Sequence, residues 1–230
     1  MIWLFVTLAS FWVARLVSAK LNHPLANPLL ISLFIVIPLL LITDTSYQTY
    51  YHDNEIFMYL LQPAVVALAY PLYEQAREIR ANWKIIFLAC GVGSVLSMFT
   101  ASVIAVFLNT DIPLIASILG KSVTTPIAME VSSHLGGEPA IAAIMVLIVG
   151  VFGAIFAYPI YNLVGITHPI ARGLTMGTVS HALGTATCLE KNPKEGAFSS
   201  LALVLCGVIT SFLAPAFYAL VEWLHIILNG

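Results

Sequence analysis

Long apolar runs alternate with short polar breaks along this chain. Residues 1–19, 28–43, 56–73, 83–108, 140–164 and 197–227 are continuous apolar stretches. Crossing roughly 30 Å of hydrocarbon takes about 20 such residues as a helix, so each is read as a membrane span, the second a compact one. Two further segments, 112–137 and 168–192, have similar length but a polar centre. The pattern predicts an all-α polytopic membrane protein. It has six to eight transmembrane segments, two of which are broken or re-entrant. Residues 1–19 lack a basic head, so they are read as a mature span and not as a cleaved signal.

Composition agrees and narrows the class. Of 230 residues, 60% are hydrophobic and 9% charged, with a formal net charge of −2, and the mean hydropathy is +0.97. A soluble globule could not cover so much apolar surface. A cytosolic enzyme, a disordered chain and a nucleic-acid binder are excluded, the last because no basic patch exists. Cys90, Cys188 and Cys206 are odd in number and set in apolar text, which disfavours a disulfide scaffold.

The few charges give an orientation. Arg15 and Lys20 mark the end of the first span, Arg77, Arg80 and Lys84 lie in the connector 74–84, and Lys191 and Lys194 precede the last span. The loops 44–55 and 109–111 contain no Lys or Arg. The positive-inside rule then places both termini outside, periplasmic in a bacterial inner membrane. Two crossing segments and two hairpins both satisfy this rule at Lys191–Lys194, and Arg172 favours hairpins.

The two polar-centred segments resemble each other. A shift of 56 residues places Pro113 on Pro169, Ser122 on Thr178, Val123 on Val179 and Thr124 on Ser180, and Gly91-Val92 resembles Gly150-Val151 at a shift of 59. The expected unit is one full span plus one broken segment, used twice, at about 83–137 and 140–192. Inverted pairs of this kind recur in secondary transporters. The chain is read as a single membrane domain, 1–230, with 1–55 as scaffold and 56–230 as transport core.

Chemistry concentrates at the two polar centres. The first holds Lys121, Ser122, Thr124, Thr125 and Pro126, with Glu130 and His134 beyond. Pro126 removes an amide donor and disfavours helix at Thr125, so a break is expected here. An ammonium at membrane depth costs several kcal/mol, so Lys121 either faces an aqueous ligand site, snorkels to the interface or pairs with Glu130. The second centre holds Ser180, His181, Gly184 and Thr185. His181 titrates near neutrality when unperturbed, so it can bind an oxygen ligand, relay a proton or simply pack. Gly173 and Gly177 fit a helix-packing face as readily as a site. Gln62 beside Pro63 either lines the same cavity or repairs the proline break. Arg77 and Arg80 are read as a cytoplasmic anchor. No HExxH, P-loop, GxSxG or paired Cys/His spacing is present, so neither an enzyme nor a metal or other cofactor is expected.

Three motifs carry a family resemblance: 66–73 (VALAYPLY), 121–128 (KSVTTPIA) and 177–186 (GTVSHALGTA). Together they resemble the LrgB/CidB family of bacterial membrane proteins. The resemblance implies one of two functions: carriage of small carboxylates such as glycolate, glycerate, pyruvate or 3-hydroxypropionate, or holin/antiholin-like control of murein hydrolases and lysis. It also implies a small LrgA-like membrane partner.

The expected function is an alternating-access carrier of small hydroxy- or keto-monocarboxylates, embedded in the lipid bilayer and homo-oligomeric, with no nucleic-acid partner. Its expected substrate-binding residues are Lys121, Ser122, Thr124, Thr125, Ser180, His181, Gly184, Thr185 and Gln62. His181 and Glu130 are the proton-coupling candidates.

Overall fold

The computed structural model describes residues 1–21, 26–67 and 69–229. These form eleven helices and, among the described residues, no strand: α1 (Ile2–Leu21), α2 (Pro28–Ile42), α3 (Tyr47–Asp53), α4 (Glu55–Ala67), α5 (Ala69–Glu74), α6 (Ala76–Phe107), α7 (Ile112–Ile118), α8 (Thr125–His134), α9 (Pro139–Leu163), α10 (Pro169–Lys191) and α11 (Pro193–Asn229). Helices α1, α6, α9 and α11 are long and apolar enough to cross a membrane, and α2 is a shorter apolar helix. Large apolar side chains such as Phe87, Leu88, Phe99, Ile148 and Phe212 are exposed. That outer surface suits lipid and not water.

The chain forms two compact units, Met1–Ala69 and Tyr70–Gly230. In the first, α1 packs on α2 and α3. The Asn27 side chain caps α2 by accepting from the Leu29 amide at 2.8 Å, and Ser46 caps α3 through the Thr49 amide. Asp53 accepts from the Trp3 amide at 3.1 Å, and Thr7 and Tyr50 share a hydroxyl hydrogen bond of 3.0 Å.

Three expected boundaries differ in the structure. The connector 74–84 is largely the first turns of α6, so Arg77, Arg80 and Lys84 lie on a helix that continues into the span. Its residues are ordinary helix formers with no Pro or Gly to stop it. The polar stretch 44–55 contains α3, started by its Ser46 cap. Residues 56–73 are divided between α4 and α5.

In the second unit, both polar-centred segments fold back on themselves. Along the first, α7 runs inward, residues 119–124 turn, and α8 returns beside it. Gly120 lies so close to Ala128 that a side-chain carbon there would sit 3.0 Å from its Cα. At the open end, Ser117 Oγ accepts from the Glu138 amide at 2.7 Å, twenty-one residues on. The break expected at Thr125 falls just before it: Pro126 stands in the first turn of α8, where its missing N–H costs nothing.

In α10 the reversal occurs at one residue, His181, whose φ of 40° and ψ of −131° are non-helical. Its two limbs, 169–180 and 182–191, pack together: Met176 and Cys188 share one buried cluster with Tyr161. Gly177 and Thr185 both meet Ser199, although a straight helix would hold residues eight apart at about 12 Å. The segment expected to be broken is thus helical on both sides of a single strained position.

Helices α6, α9 and α11 frame the two hairpins. The first halves of α6 and α11 hold the second hairpin, with Ile86, Cys90, Leu174, Phe198 and Cys206 in one cluster. Their second halves hold the first hairpin through Met98, Leu119, Val131 and Ala214, and again through Ala105, Ile115 and Val221. On α9 the order is reversed: Ala142 and Val146 meet Val123 and Ala128 of the first hairpin, while Tyr161 meets Met176 and Cys188 of the second. The hairpins therefore enter the frame from opposite ends.

Candidate functional site

The hairpin tips reach neighbouring turns of the same two helices. On α6, Ser97 meets the first tip, and Gly93, one turn earlier, meets Thr178 of the second hairpin; a Cβ at Gly93 would stand 2.4 Å from Thr178 Cγ2. On α9, the Val146 side chain packs against Val123 of the first tip. The Val146 carbonyl lies 2.8 Å from His181 Nε2 at the second. A carbonyl can only accept, so Nε2 carries the proton.

Lys121 stands at the first tip, partly buried. Its Nζ donates to Ser97 Oγ at 2.7 Å and to the Ser97 carbonyl at 3.2 Å, and Ser122 Oγ is 2.8 Å from the same hydroxyl. Both partners are neutral, and among the described residues Lys121 has no carboxylate within ion-pair distance. Neither snorkelling to an exposed position nor a pair with Glu130 describes it. Thr124 and Thr125 flank this turn, both half-buried, and Thr124 holds the N-cap position without a capping side-chain bond.

The second tip is more deeply buried. His181 is 3% exposed, and its ring fills the space left by Gly150, where a Cβ would be 2.5 Å from Cε1. Ser180 is 1% exposed, its Oγ has no hydrogen-bond partner, and it sits against Gly153, where a Cβ would overlap it. An almost wholly buried hydroxyl without a partner costs about 1–3 kcal/mol unless something binds it. It lines a cavity of about 200 Å³ walled by Phe152, Phe156, Tyr161 and Met176.

Thr185 turns away from the tips: it donates to the His181 carbonyl at 2.8 Å and meets Ser199 Oγ of α11 at 2.8 Å. Gly184 is packed on Met176 and Ser180. Gly173 and Gly177 lie against the Glu195 and Ser199 carbonyls, which favours their packing role. Glu130 is not brought to either tip. It pairs with His134 at 3.0 Å, both side chains about three-quarters exposed, beside a groove of about 540 Å³ shared with Ser211 and Pro215. Gln62 lies on α4, and its side chain is outside the described residues.

Sequence reasoning missed Ser97, the partner of both Lys121 and Ser122. The signal was present, because Ser94 and Ser97 form a polar pair one turn apart inside an apolar span. It also missed a polar cluster at the open end of the second hairpin, built on Glu195, Tyr158 and Arg172.

The architecture is that of a helical membrane protein with two polar-tipped hairpins held in a three-helix frame. The chain belongs to the LrgB-like family, whose model matches residues 7–220. An uncharacterized protein of Haemophilus influenzae is 42% identical over 217 residues, 94% of each chain. A holin-like protein CidB of Staphylococcus epidermidis is 35% identical over 210 residues, 91% of this chain and 92% of its own. The uncharacterized protein YwbG of Bacillus subtilis is 32% identical over 212 residues, 92% and 94% of the two chains. No solved structure matches this chain.

Proposed function

We propose that this protein is a secondary carrier of small hydroxy- or keto-monocarboxylates, of the glycolate, glycerate, pyruvate or 3-hydroxypropionate class, working by alternating access in a bacterial inner membrane. The observation that carries the reading is Lys121. It is an ammonium at the tip of a broken segment, bonded only to neutral oxygens among the described residues. A bound carboxylate is the natural partner for such a charge. The tip hydroxyls and the backbone amides around 122–125 add donors, and Ser180 offers a hydroxyl free to bind the rest of the substrate.

In this reading the hairpins are re-entrant, six spans cross the bilayer, and both termini are periplasmic. The two units of span plus hairpin, 83–137 and 140–192, form an inverted repeat. Their entry from opposite ends of the frame supports that arrangement, which in secondary transporters brings broken helices together near the midplane. A scaffold of 1–55, a homo-oligomer and a small LrgA-like partner complete the proposal.

The relatives' names favour a second reading. Those called holin-like support a protein that regulates murein hydrolase activity and cell lysis, and they support it more directly than they support any substrate. The two readings separate in proteoliposomes. The carrier gives saturable uptake of labelled glycolate or 3-hydroxypropionate, reduced roughly tenfold in Lys121→Ala, the loss of about one strong charge-assisted contact. Leakage of a trapped dye without saturable uptake establishes the holin-like reading instead. Equal uptake by wild type and Lys121→Ala refutes the site.

A further inference from the structure

Glu195 lies in the first turn of α11 and is 4% exposed. Its Oε2 accepts from the Tyr158 hydroxyl of α9 at 2.5 Å, and its Oε1 is 3.9 Å from Arg172 Nη1 on the first limb of the second hairpin. Cys188 Sγ, on the second limb, is 3.6 Å from the same Tyr158 oxygen, and Lys191 stands over the Tyr158 ring at 4.6 Å. Arg172 is held independently, donating from Nε to the Ile166 carbonyl at 2.7 Å and from Nη2 to Asn162 at 3.0 Å, while Tyr161 donates to its backbone carbonyl at 3.2 Å. Lys194, the neighbour of Glu195 on α11, pairs with Glu78 of α6 at 2.7 Å. One buried carboxylate thus joins α9, α11 and the open end of the second hairpin.

We propose that Glu195 is the proton-binding residue of transport, and that its protonation loosens the open end of the second hairpin. The geometry assigns this role because, among the described residues, Glu195 is the carboxylate within ion-pair distance of Arg172, on a limb that otherwise meets α11 through the small and apolar residues Gly173, Leu174 and Gly177. A proton on Glu195 removes the negative charge that faces Arg172. The guanidinium keeps its bonds to Ile166 and Asn162, so it stays with α9 and the hairpin's base while its charge contact with Glu195 is lost. Glu130, exposed and paired with His134 of its own helix, joins no two helices. The site lies in the first turn of α11, beside the exposed Lys191, so its proton comes from the solution at that end of the protein.

The inference rests on the carrier reading, and its test uses the full chain in proteoliposomes with labelled 3-hydroxypropionate. An imposed proton gradient is expected to stimulate wild-type uptake severalfold. In Glu195→Gln that stimulation falls to a ratio near one while exchange of labelled for unlabelled substrate at equal pH persists, and Glu195→Asp restores part of the stimulation. Tyr158→Phe removes a donor to the carboxylate, so the pH of half-maximal uptake moves upward.

Stimulation of Glu195→Gln equal to wild type overturns the proposal, as does an unmoved pH profile in Tyr158→Phe. Loss of exchange together with stimulation in a folded Glu195→Gln protein also overturns it, leaving the cluster a structural clamp. Wild-type uptake that is saturable but indifferent to the gradient defeats this inference alone, whereas absence of saturable uptake defeats the carrier reading with it.

Discussion

The two hairpins are built from similar sequence but fastened in opposite ways. The first carries its partly buried charge at the tip, where Lys121 and Ser122 converge on Ser97, and it is closed toward α9 by a neutral bond from the Glu138 amide to Ser117. The second carries Arg172 at its open end, facing Glu195 of α11, and its tip is fixed by His181 against Val146 and Gly150. On the proposed function, the charge at the first tip meets the ligand and the charge at the second base holds or releases its segment. The difference suggests a ligand-facing hairpin and a tethered hairpin sharing one frame.

The largest expected effect comes from crowding the tethered tip. Gly150→Val places a branched side chain into the His181 ring and should lower the thermal unfolding midpoint of the purified protein, at a cost of about 1–3 kcal/mol or more. Gly91 of α6, which a shift of 59 residues places on Gly150, has nothing within 4 Å of a built Cβ. Gly91→Ala should therefore be neutral or slightly stabilising, and an equal loss at both positions would remove the distinction between the two hairpins.

Next in size is Thr185→Val, which strands the His181 carbonyl and Ser199 hydroxyl inside the protein. It should cost roughly 1–2 kcal/mol by the same melting measurement. Ser122→Ala removes a half-buried hydroxyl that Ser97 can replace with its bond from Lys121, so its effect should be smaller, about 0.5–1 kcal/mol. A reversal of that order would show that the first tip, not the second, is the rigid one. The smallest effect is expected at the exposed pair on α8: Glu130→Gln should leave both the melting midpoint and uptake within error. A marked loss of uptake there would return Glu130 to the proton pathway.

The hydrophobic pattern made the long helices legible, because only helices satisfy every backbone group in lipid. It placed α1, α2, α9 and α11 closely, and it misplaced the start of α6, because the polar residues before Trp83 are good helix formers. The first break was legible through Pro126. The second break was expected somewhere in 168–192, but its position at His181 was not legible, since His has no intrinsic tendency to reverse a helix and the ring is held by Val146 of α9, far away in sequence. The same limit applies to the site. Lys121 stood out as a charge in an apolar segment, but its partner Ser97 and the Glu195 cluster depend on which helices meet, and no spacing in the sequence records that.

The central claim is that both hairpin tips contribute to one anion-binding site. Equilibrium binding of labelled glycolate to the purified protein tests it with one variant in each hairpin, Lys121→Ala and Ser180→Ala, each confirmed as folded by its melting curve. The account predicts saturable binding by wild type that is weakened in both variants, more strongly in Lys121→Ala. Binding that survives unchanged in either variant, or that is absent from wild type, would contradict it.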